Sequence, residues 1–222
     1  MTVPFKAVIF DLDGTIADTG PDLHAALNRG LEREGKPALT YEQSMPLIGG
    51  GADKMLRGAY DILGEPLSDE KLDRMFDGFL EDYRAHCAVD TRFFPGAVAA
   101  VAQLRDWAVV TGICTNKRSS LTGPVLEGLG ANGTFEPVVC YDQVGARKPD
   151  PAPLNRALEL AGVSAEEAVM VGDSAADIGA ARNAGVKSIA VSFGYTDIPP
   201  GRLGADALID HFDELIPALR NF

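Results

Sequence analysis

Six short apolar runs rich in β-branched residues alternate with amphipathic stretches along most of this chain, and that alternation restricts the fold more than any other feature. The runs cover residues 3–10, 109–114, 137–141, 168–171, 188–191 and 207–209. Short runs that stay apolar throughout suit parallel strands covered on both faces. Between them the spacing predicts helices over 96–107, 121–129, 152–161 and 175–184, the last three followed by Gly130, Gly162 and Gly185. A glycine directly after the last periodic residue is a common helix stop. Strands alternating with helices predict an α/β fold built on a doubly wound parallel sheet.

One region breaks the alternation. Between Thr15 and about Cys87 no strand pattern is visible, and the periodicity predicts four helices over 21–34, 41–47, 52–63 and 69–86. Turn clusters at Gly35-Lys36-Pro37, Gly49-Gly50-Gly51 and Gly64-Glu65-Pro66 separate them. A helical block placed after the first strand reads as an inserted all-helical domain whose return point lies near 90–95. The expected division is a core of residues 1–15 and 88–222 with a helical insert of residues 16–87.

Composition narrows the partners. The 222 residues are 46% hydrophobic and 23% charged, the balance of an ordinary soluble globular protein. No stretch approaches the roughly 18 consecutive apolar residues of a membrane helix. The start, MTVPFKAVIFDLDGT, lacks the charged opening and small-residue cleavage site of a signal peptide. Cys87, Cys114 and Cys140 have no metal-like spacing and are expected to be reduced, buried thiols of a cytoplasmic protein. A formal net charge of −12 argues against nucleic acid and anionic membranes as partners. An anionic substrate would then be held by local cations or by a metal. Nothing in the composition separates a monomer from a homodimer.

The ends of the strands carry the chemistry. Val8-Ile9-Phe10-Asp11-Leu12-Asp13-Gly14-Thr15 puts two acids at the carboxyl end of the first run, where open α/β sheets bind ligands. Two carboxylates so close repel, and a hard divalent cation relieves that repulsion. Alone, Asp-Leu-Asp-Gly also suits a turn cap. Near the other end, Val171-Gly172-Asp173-Ser174-Ala175-Ala176-Asp177 repeats the pattern, and its two acids also suit a helix start. Thr115-Asn116 follows a third strand with a hydroxyl and an amide suited to phosphate oxygens. Arg147-Lys148-Pro149-Asp150-Pro151 follows a fourth with cations. In combination the four strand ends point to a site rather than to four separate turns.

These residues resemble the haloacid dehalogenase superfamily, specifically its phosphoglycolate phosphatase-like branch with a helical cap after the first strand. FDLDGTIADT, CTNK, RKPDP and VGDSAADI are similar to its four motifs and occur in the same order, and VDTRFFPG, KPDPAPL and VSFGYTD also look like that branch. The resemblance implies a Rossmann-like core, magnesium as cofactor and a small phosphorylated metabolite as substrate. It implies that Asp11 is the nucleophile that carries an aspartyl-phosphate and that Asp13 is the acid and base. It implies that Thr115 and Asn116 bind the transferring phosphoryl group and that Lys148 neutralises it. Asp11, Asp173 and the backbone carbonyl of Asp13 would hold the metal, with Asp177 acting directly or through water. Arg147 is also cationic, and the Pro-Asp-Pro context favours Lys148. Aspartate at position 13 suits phosphate-ester hydrolysis and argues against the dehalogenase and phosphonatase branches.

In the insert, Gly49-Gly50-Gly51-Ala52-Asp53-Lys54 is a candidate specificity loop, with Lys54 or Arg57 placed to meet a substrate carboxylate. The leading expectation is hydrolysis of 2-phosphoglycolate. A sugar-phosphate mutase like β-phosphoglucomutase is the alternative, and a non-catalytic module binding a phosphorylated ligand is a further one. Tyr195 reads either as a pocket residue or as a loop aromatic, and a glycine turn is expected where Trp107-Ala108 stands.

Overall fold

The computed structural model describes residues 3–196 and 198–222; Asp197, the last residue of the VSFGYTD segment, lies outside them. The chain opens with β1 (Ala7–Phe10), then β2 (Ala17–Asp18) and four helices: α1 (Gly20–Arg33), α2 (Tyr41–Ser44), α3 (Ala52–Ile62) and α4 (Asp69–His86). β3 (Arg92–Phe93) follows, then α5 (Ala97–Asp106), β4 (Val110–Thr115), α6 (Ser119–Gly128), β5 (Val138–Cys140) and α7 (Tyr141–Val144). The remainder is α8 (Ala152–Ala161), β6 (Ala168–Gly172), α9 (Ala175–Ala184), β7 (Lys187–Val191), β8 (Ala207–Ile209) and α10 (Leu215–Arg220).

Six strands form one parallel sheet in the order β5-β4-β1-β6-β7-β8. The chain moves outward from β1 through β4 to β5, then returns to place β6 on the other side of β1. That reversal makes the carboxyl ends of β1 and β6 the switch point where such sheets bind ligands. Alternate residues of β1 face opposite sides. Val8 and Phe10 join an apolar cluster with Val101, Leu104 and Leu215, while Ala7 and Ile9 pack with Leu154, Ala157 and Leu158. Both faces are therefore covered by helices, as continuous apolar strands require. Gly162 and Gly185 take φ of 68° and 70° and stop α8 and α9 where the sequence predicts.

Two local expectations change. The region after Thr15 holds a strand: β2 pairs antiparallel with β3, Ala17 opposite Phe93 and Asp18 opposite Arg92. Two residues are too few to show a period of two, and the partner that stabilises them lies beyond α4. The expected glycine turn before β4 is made by Ala108 at φ 59°, the only non-glycine residue with positive φ among those described.

The α1–α4 segment packs on itself through Leu23, Leu27 and Leu31 of α1 and Leu72, Phe79 and Tyr83 of α4. Asp22, buried in the first turn of α1, fastens the returning chain. Its carboxylate accepts from the Asp90 amide at 3.0 Å, the Thr91 amide at 2.9 Å and Thr91 Oγ1 at 2.7 Å. Among the described residues no helix is long and apolar enough to cross a membrane. Burial raises all three thiols, Cys114 to about 12 and Cys140 to about 11, which leaves them chemically quiet.

Candidate active site

β1 delivers Asp11 to the switch point, and the Asp11 amide extends the ladder by donating to the Val171 carbonyl at 2.9 Å. The chain then turns tightly, with the Gly14 amide donating to the Ala17 carbonyl and the Ala17 amide to that of Leu12, both at 3.0 Å. Gly14 has φ 79°, and a Cβ there would lie 2.6 Å from Asp173 Oδ2. Only glycine lets the turn approach the second acidic strand end so closely.

Asp11, Asp173 and Asp177 bring carboxylate oxygens within 4.8 Å of one another, all buried. Asp173 Oδ1 accepts from Thr15 Oγ1 at 3.0 Å, and its Oδ2 from the Tyr195 amide at 2.8 Å. Asp177 Oδ1 accepts from Lys148 Nζ at 2.6 Å, and its Oδ2 from the amide and hydroxyl of Ser174 at 3.0 and 2.6 Å. Lys148 Nζ also donates to the Cys114 carbonyl at 2.7 Å. It stands 2.9 Å from Asp11 Oδ1, yet without hydrogen-bond alignment, so that oxygen is buried with no donor.

The electrostatics follow from three acids gathered around one ammonium. Burial pushes Asp11 up to about 8; Lys148 opposes the shift, and Asp177, Asp173 and Asp13 reinforce it. Burial and the neighbouring Asp177 raise Asp173 to about 7 against the pull of its Tyr195 and Thr15 donors. Burial alone would strip the Lys148 proton, but Asp11 and Asp177 outweigh it and hold the ammonium charged. A buried carboxylate oxygen without a donor, inside a cluster of excess negative charge, fits a hard divalent cation.

Asp13 faces elsewhere. Its Oδ1 accepts from Thr19 Oγ1 at 2.6 Å, and Lys117 Nζ lies 2.9 and 3.2 Å from its two oxygens. The Asp13 carboxylate is thus engaged away from the group formed by Asp11, Asp173 and Asp177, which departs from its expected place among the metal carboxylates. Lys117 is absent from the expected site. Its place directly after Thr115-Asn116 at a strand end was the available signal. Its ammonium also reaches Tyr83 Oη of α4 at 3.1 Å and lies 4.5 Å from the centre of that ring.

Thr115 is buried at the end of β4, and its Oγ1 accepts the Lys117 amide at 3.1 Å, which leaves its own hydrogen to donate. Asn116 departs from expectation. Its Oδ1 accepts the Lys148 amide at 2.8 Å and its Nδ2 donates to the Lys148 carbonyl at 3.1 Å. The side-chain amide therefore positions Lys148 instead of facing a phosphoryl group. Arg57 is a second correction: it donates to the Leu67 carbonyl at 2.8 Å and pairs with Asp69, inside the helical segment. Lys54 does line the mouth, beside Gly49, Gly50, Lys148, Asp173 and Tyr195. Arg147 is held by Asp53 and stacks 4.0 Å above Tyr141, which leaves Lys148 as the cation against Asp11.

Tyr195 does more than line the mouth. Besides its amide contact to Asp173, its hydroxyl donates to Asp18 and accepts the Gly20 amide at 2.7 Å, linking the acidic cluster to the start of α1. Two spaces open at the strand ends, both lined by Asn116. One is the mouth, about 300 Å³. The other is a chamber of about 30 Å³, with Asp11, Asp13, Thr115 and Lys117 on the sheet side and Leu23, Leu47, Met55 and Phe79 on the helical side.

Comparison with known proteins agrees with this architecture. The family model for haloacid dehalogenase-like hydrolases matches residues 8–191. A phosphoglycolate phosphatase of Agrobacterium fabrum is 39% identical over 211 residues, covering 95% of this chain and 91% of the relative. An N-acetylmuramic acid 6-phosphate phosphatase of Pseudomonas aeruginosa is 34% identical over 216 residues, covering 96% of this chain and 94% of that one. The crystal structure of a predicted phosphoglycolate phosphatase from Haemophilus somnus 129pt superposes with a TM-score of 0.88 at 25% identity, over 98% of this chain and 99% of that one. With four acidic and basic strand ends meeting at the switch point of such a sheet, the chain belongs to the haloacid dehalogenase-like hydrolase family and is a phosphoric monoester hydrolase.

Proposed function

We propose that this phosphatase hydrolyses a small phosphate monoester bearing a carboxylate, 2-phosphoglycolate being the best single substrate, through an aspartyl-phosphate on Asp11. The observation that carries the reading is Asp11 Oδ1, buried without a donor and 2.9 Å from the Lys148 ammonium. An unsolvated carboxylate oxygen beside a fixed cation is poised to meet an anionic phosphoryl group.

Asp11 Oδ1 attacks phosphorus while Lys148 and the Thr115 hydroxyl receive charge on the phosphoryl oxygens. The bond from phosphorus to the ester oxygen breaks, and Asp13 gives that oxygen its proton. Water then attacks the aspartyl-phosphate, Asp13 takes the proton back, and inorganic phosphate leaves with Asp11 restored. Magnesium, if held by Asp11, Asp173 and the Asp13 carbonyl, would supply charge neutralisation for these oxygens. Asp177 stands behind them, since Lys148 and Ser174 occupy both its oxygens.

Residues 16–87 act as a cap on a core of residues 1–15 and 88–222. The β2–β3 pair and the Asp22 contacts support a hinge at that junction. The apolar helical wall of the chamber, formed by Leu23, Leu47, Met55 and Phe79, offers few partners to the hydroxyls of a sugar and so favours a short leaving group. Buried, unpaired thiols and a net charge of −12 support a cytoplasmic setting with a small metabolite as partner.

The test is inorganic phosphate release, with and without magnesium, from 2-phosphoglycolate, sugar phosphates and nucleoside monophosphates, for the native chain and Asp11→Asn. Magnesium-dependent release highest from 2-phosphoglycolate, and abolished in a folded Asp11→Asn variant, is the expected result. Undiminished turnover in Asp11→Asn sinks the nucleophile. Preference for a sugar phosphate sinks the substrate.

A further inference from the structure

We infer that Lys117 is the specificity residue of this site: its ammonium receives the carboxylate of the substrate in the leaving-group chamber. The inference rests on the proposed function and adds the recognition element that function lacks. Lys117 is 6% exposed, and the chamber wall opposite the sheet is apolar, formed by Leu23, Leu47, Met55 and Phe79. An ammonium in such a place needs a fixed anion. Asp13 supplies it here, at 2.9 Å. Tyr83 holds the ammonium from the helical side, with its hydroxyl at 3.1 Å and its ring centre at 4.5 Å.

The position matters because Asp13 is the group that must reach the ester oxygen. In a 2-phospho acid the carboxylate carbon lies roughly 2.4 Å from that oxygen by ordinary bond lengths. A substrate whose ester oxygen meets Asp13 therefore carries its carboxylate to the neighbouring ammonium. There it takes over the charge pairing that Asp13 now provides, so that Asp13 can take up the proton it gives to the ester oxygen.

The other cations near the site are engaged elsewhere. Lys148 serves Asp11 and Asp177, and Arg147 serves Asp53. Arg118 lies over Phe76 at the chamber's rim, while Lys117 is the cation in contact with Asp13, and Lys54 lines the mouth rather than the chamber. An ammonium fixed beside Asp13 and Tyr83 meets a carboxylate on a short chain, and an uncharged leaving group of equal size does not engage it.

The experiment compares kcat/KM for 2-phosphoglycolate and for ethyl phosphate, which has a methyl group in place of the carboxylate. It uses the native chain, Lys117→Gln, which can still donate to Asp13, and Lys117→Arg, which keeps the charge. Lys117→Gln is expected to lower kcat/KM for 2-phosphoglycolate about 100-fold more than for ethyl phosphate, with the extra loss mainly in KM. Lys117→Arg is expected to keep the preference for the acid ester. In an Asp11→Asn background, calorimetric binding of 2-phosphoglycolate should weaken by a similar factor when Lys117 becomes Gln, and melting curves confirm that each variant is folded. Equal losses on both esters would mean that Lys117 acts only through Asp13 and would overturn the inference. So would a preference that survives in Lys117→Gln. A native chain that cleaves ethyl phosphate as well as 2-phosphoglycolate overturns the proposed substrate instead, before any variant is compared.

Discussion

Arg147 grips Asp53 with both terminal nitrogens, Nη1 to Oδ2 at 2.9 Å and Nη2 to Oδ1 at 2.8 Å. The pair ties the loop after α7 to the first turn of α3, so Arg147 holds the glycine loop beside the mouth. Both partners are partly exposed, at 25% and 31% of their side chains, so the pair contributes at most about 1 kcal/mol to stability. Asp53→Asn should therefore leave the melting temperature nearly unchanged while lowering kcat/KM roughly three- to tenfold by loosening the loop. Steady-state kinetics at low and high salt check this. The native chain should lose activity as salt rises and the variant should not; parallel salt curves would dismiss the latch.

Gly194→Ala tests the acidic cluster without removing an acid. A Cβ at Gly194 would lie 2.2 Å from Asp173 Cβ, too close for any real contact. The carboxylate has to move, and Thr15 and the Tyr195 amide lose their grip on it. The magnesium concentration for half-maximal activity should rise at least about tenfold, and the metal-free melting temperature should fall as well, because the clash is with an atom fixed to the backbone. An unchanged magnesium requirement would place the metal away from Asp173.

Acidity gives a third test. Asp11 and Asp173 are raised in the folded protein, to about 8 and about 7, above their value of 3.8 in an unfolded chain. A raised carboxyl binds its proton more tightly when folded, so its contribution is full below about pH 4 and is lost as pH climbs through 7 and 8. The metal-free protein should melt lower at about pH 8.5 than at about pH 6, and added magnesium should raise the melting temperature more at the higher pH. Scanning fluorimetry with chelator or magnesium reads both shifts. An equal magnesium effect at the two values would show that binding displaces no protons from this cluster.

Asp22 tests how the chain after α4 is fastened to α1. Replacing it with alanine leaves the Asp90 and Thr91 amides and the Thr91 hydroxyl without their buried acceptor. The expected loss is about 2–3 kcal/mol in urea unfolding, with Asp22→Asn costing less because one oxygen remains. Equal, negligible losses in both variants would show that water replaces the carboxylate.

The six strands of the parallel sheet, the stops of α8 and α9 and the placement of Asp11, Thr115 and Asp173 beside strand ends are legible in the sequence. Each depends on a local pattern, an apolar run ending in a polar group, and the parallel sheet then carries every such end to one edge. Other features depend on residues that meet only after folding. β2 exists because β3 lies beside it, and Ala108 turns with φ 59° because its neighbours hold it there. Arg57 looked like a substrate cation until packing set it against Leu67 and Asp69, and Asn116 looked like a phosphate donor until it met the Lys148 backbone. Lys117 shows the division most clearly. Its neighbours in sequence mark a strand end, while Asp13 and Tyr83, which give its ammonium a purpose, come from a different strand end and a different helix. Local propensity and the hydrophobic period place backbone elements, but the partner of a buried charge is chosen by packing between segments far apart in the chain.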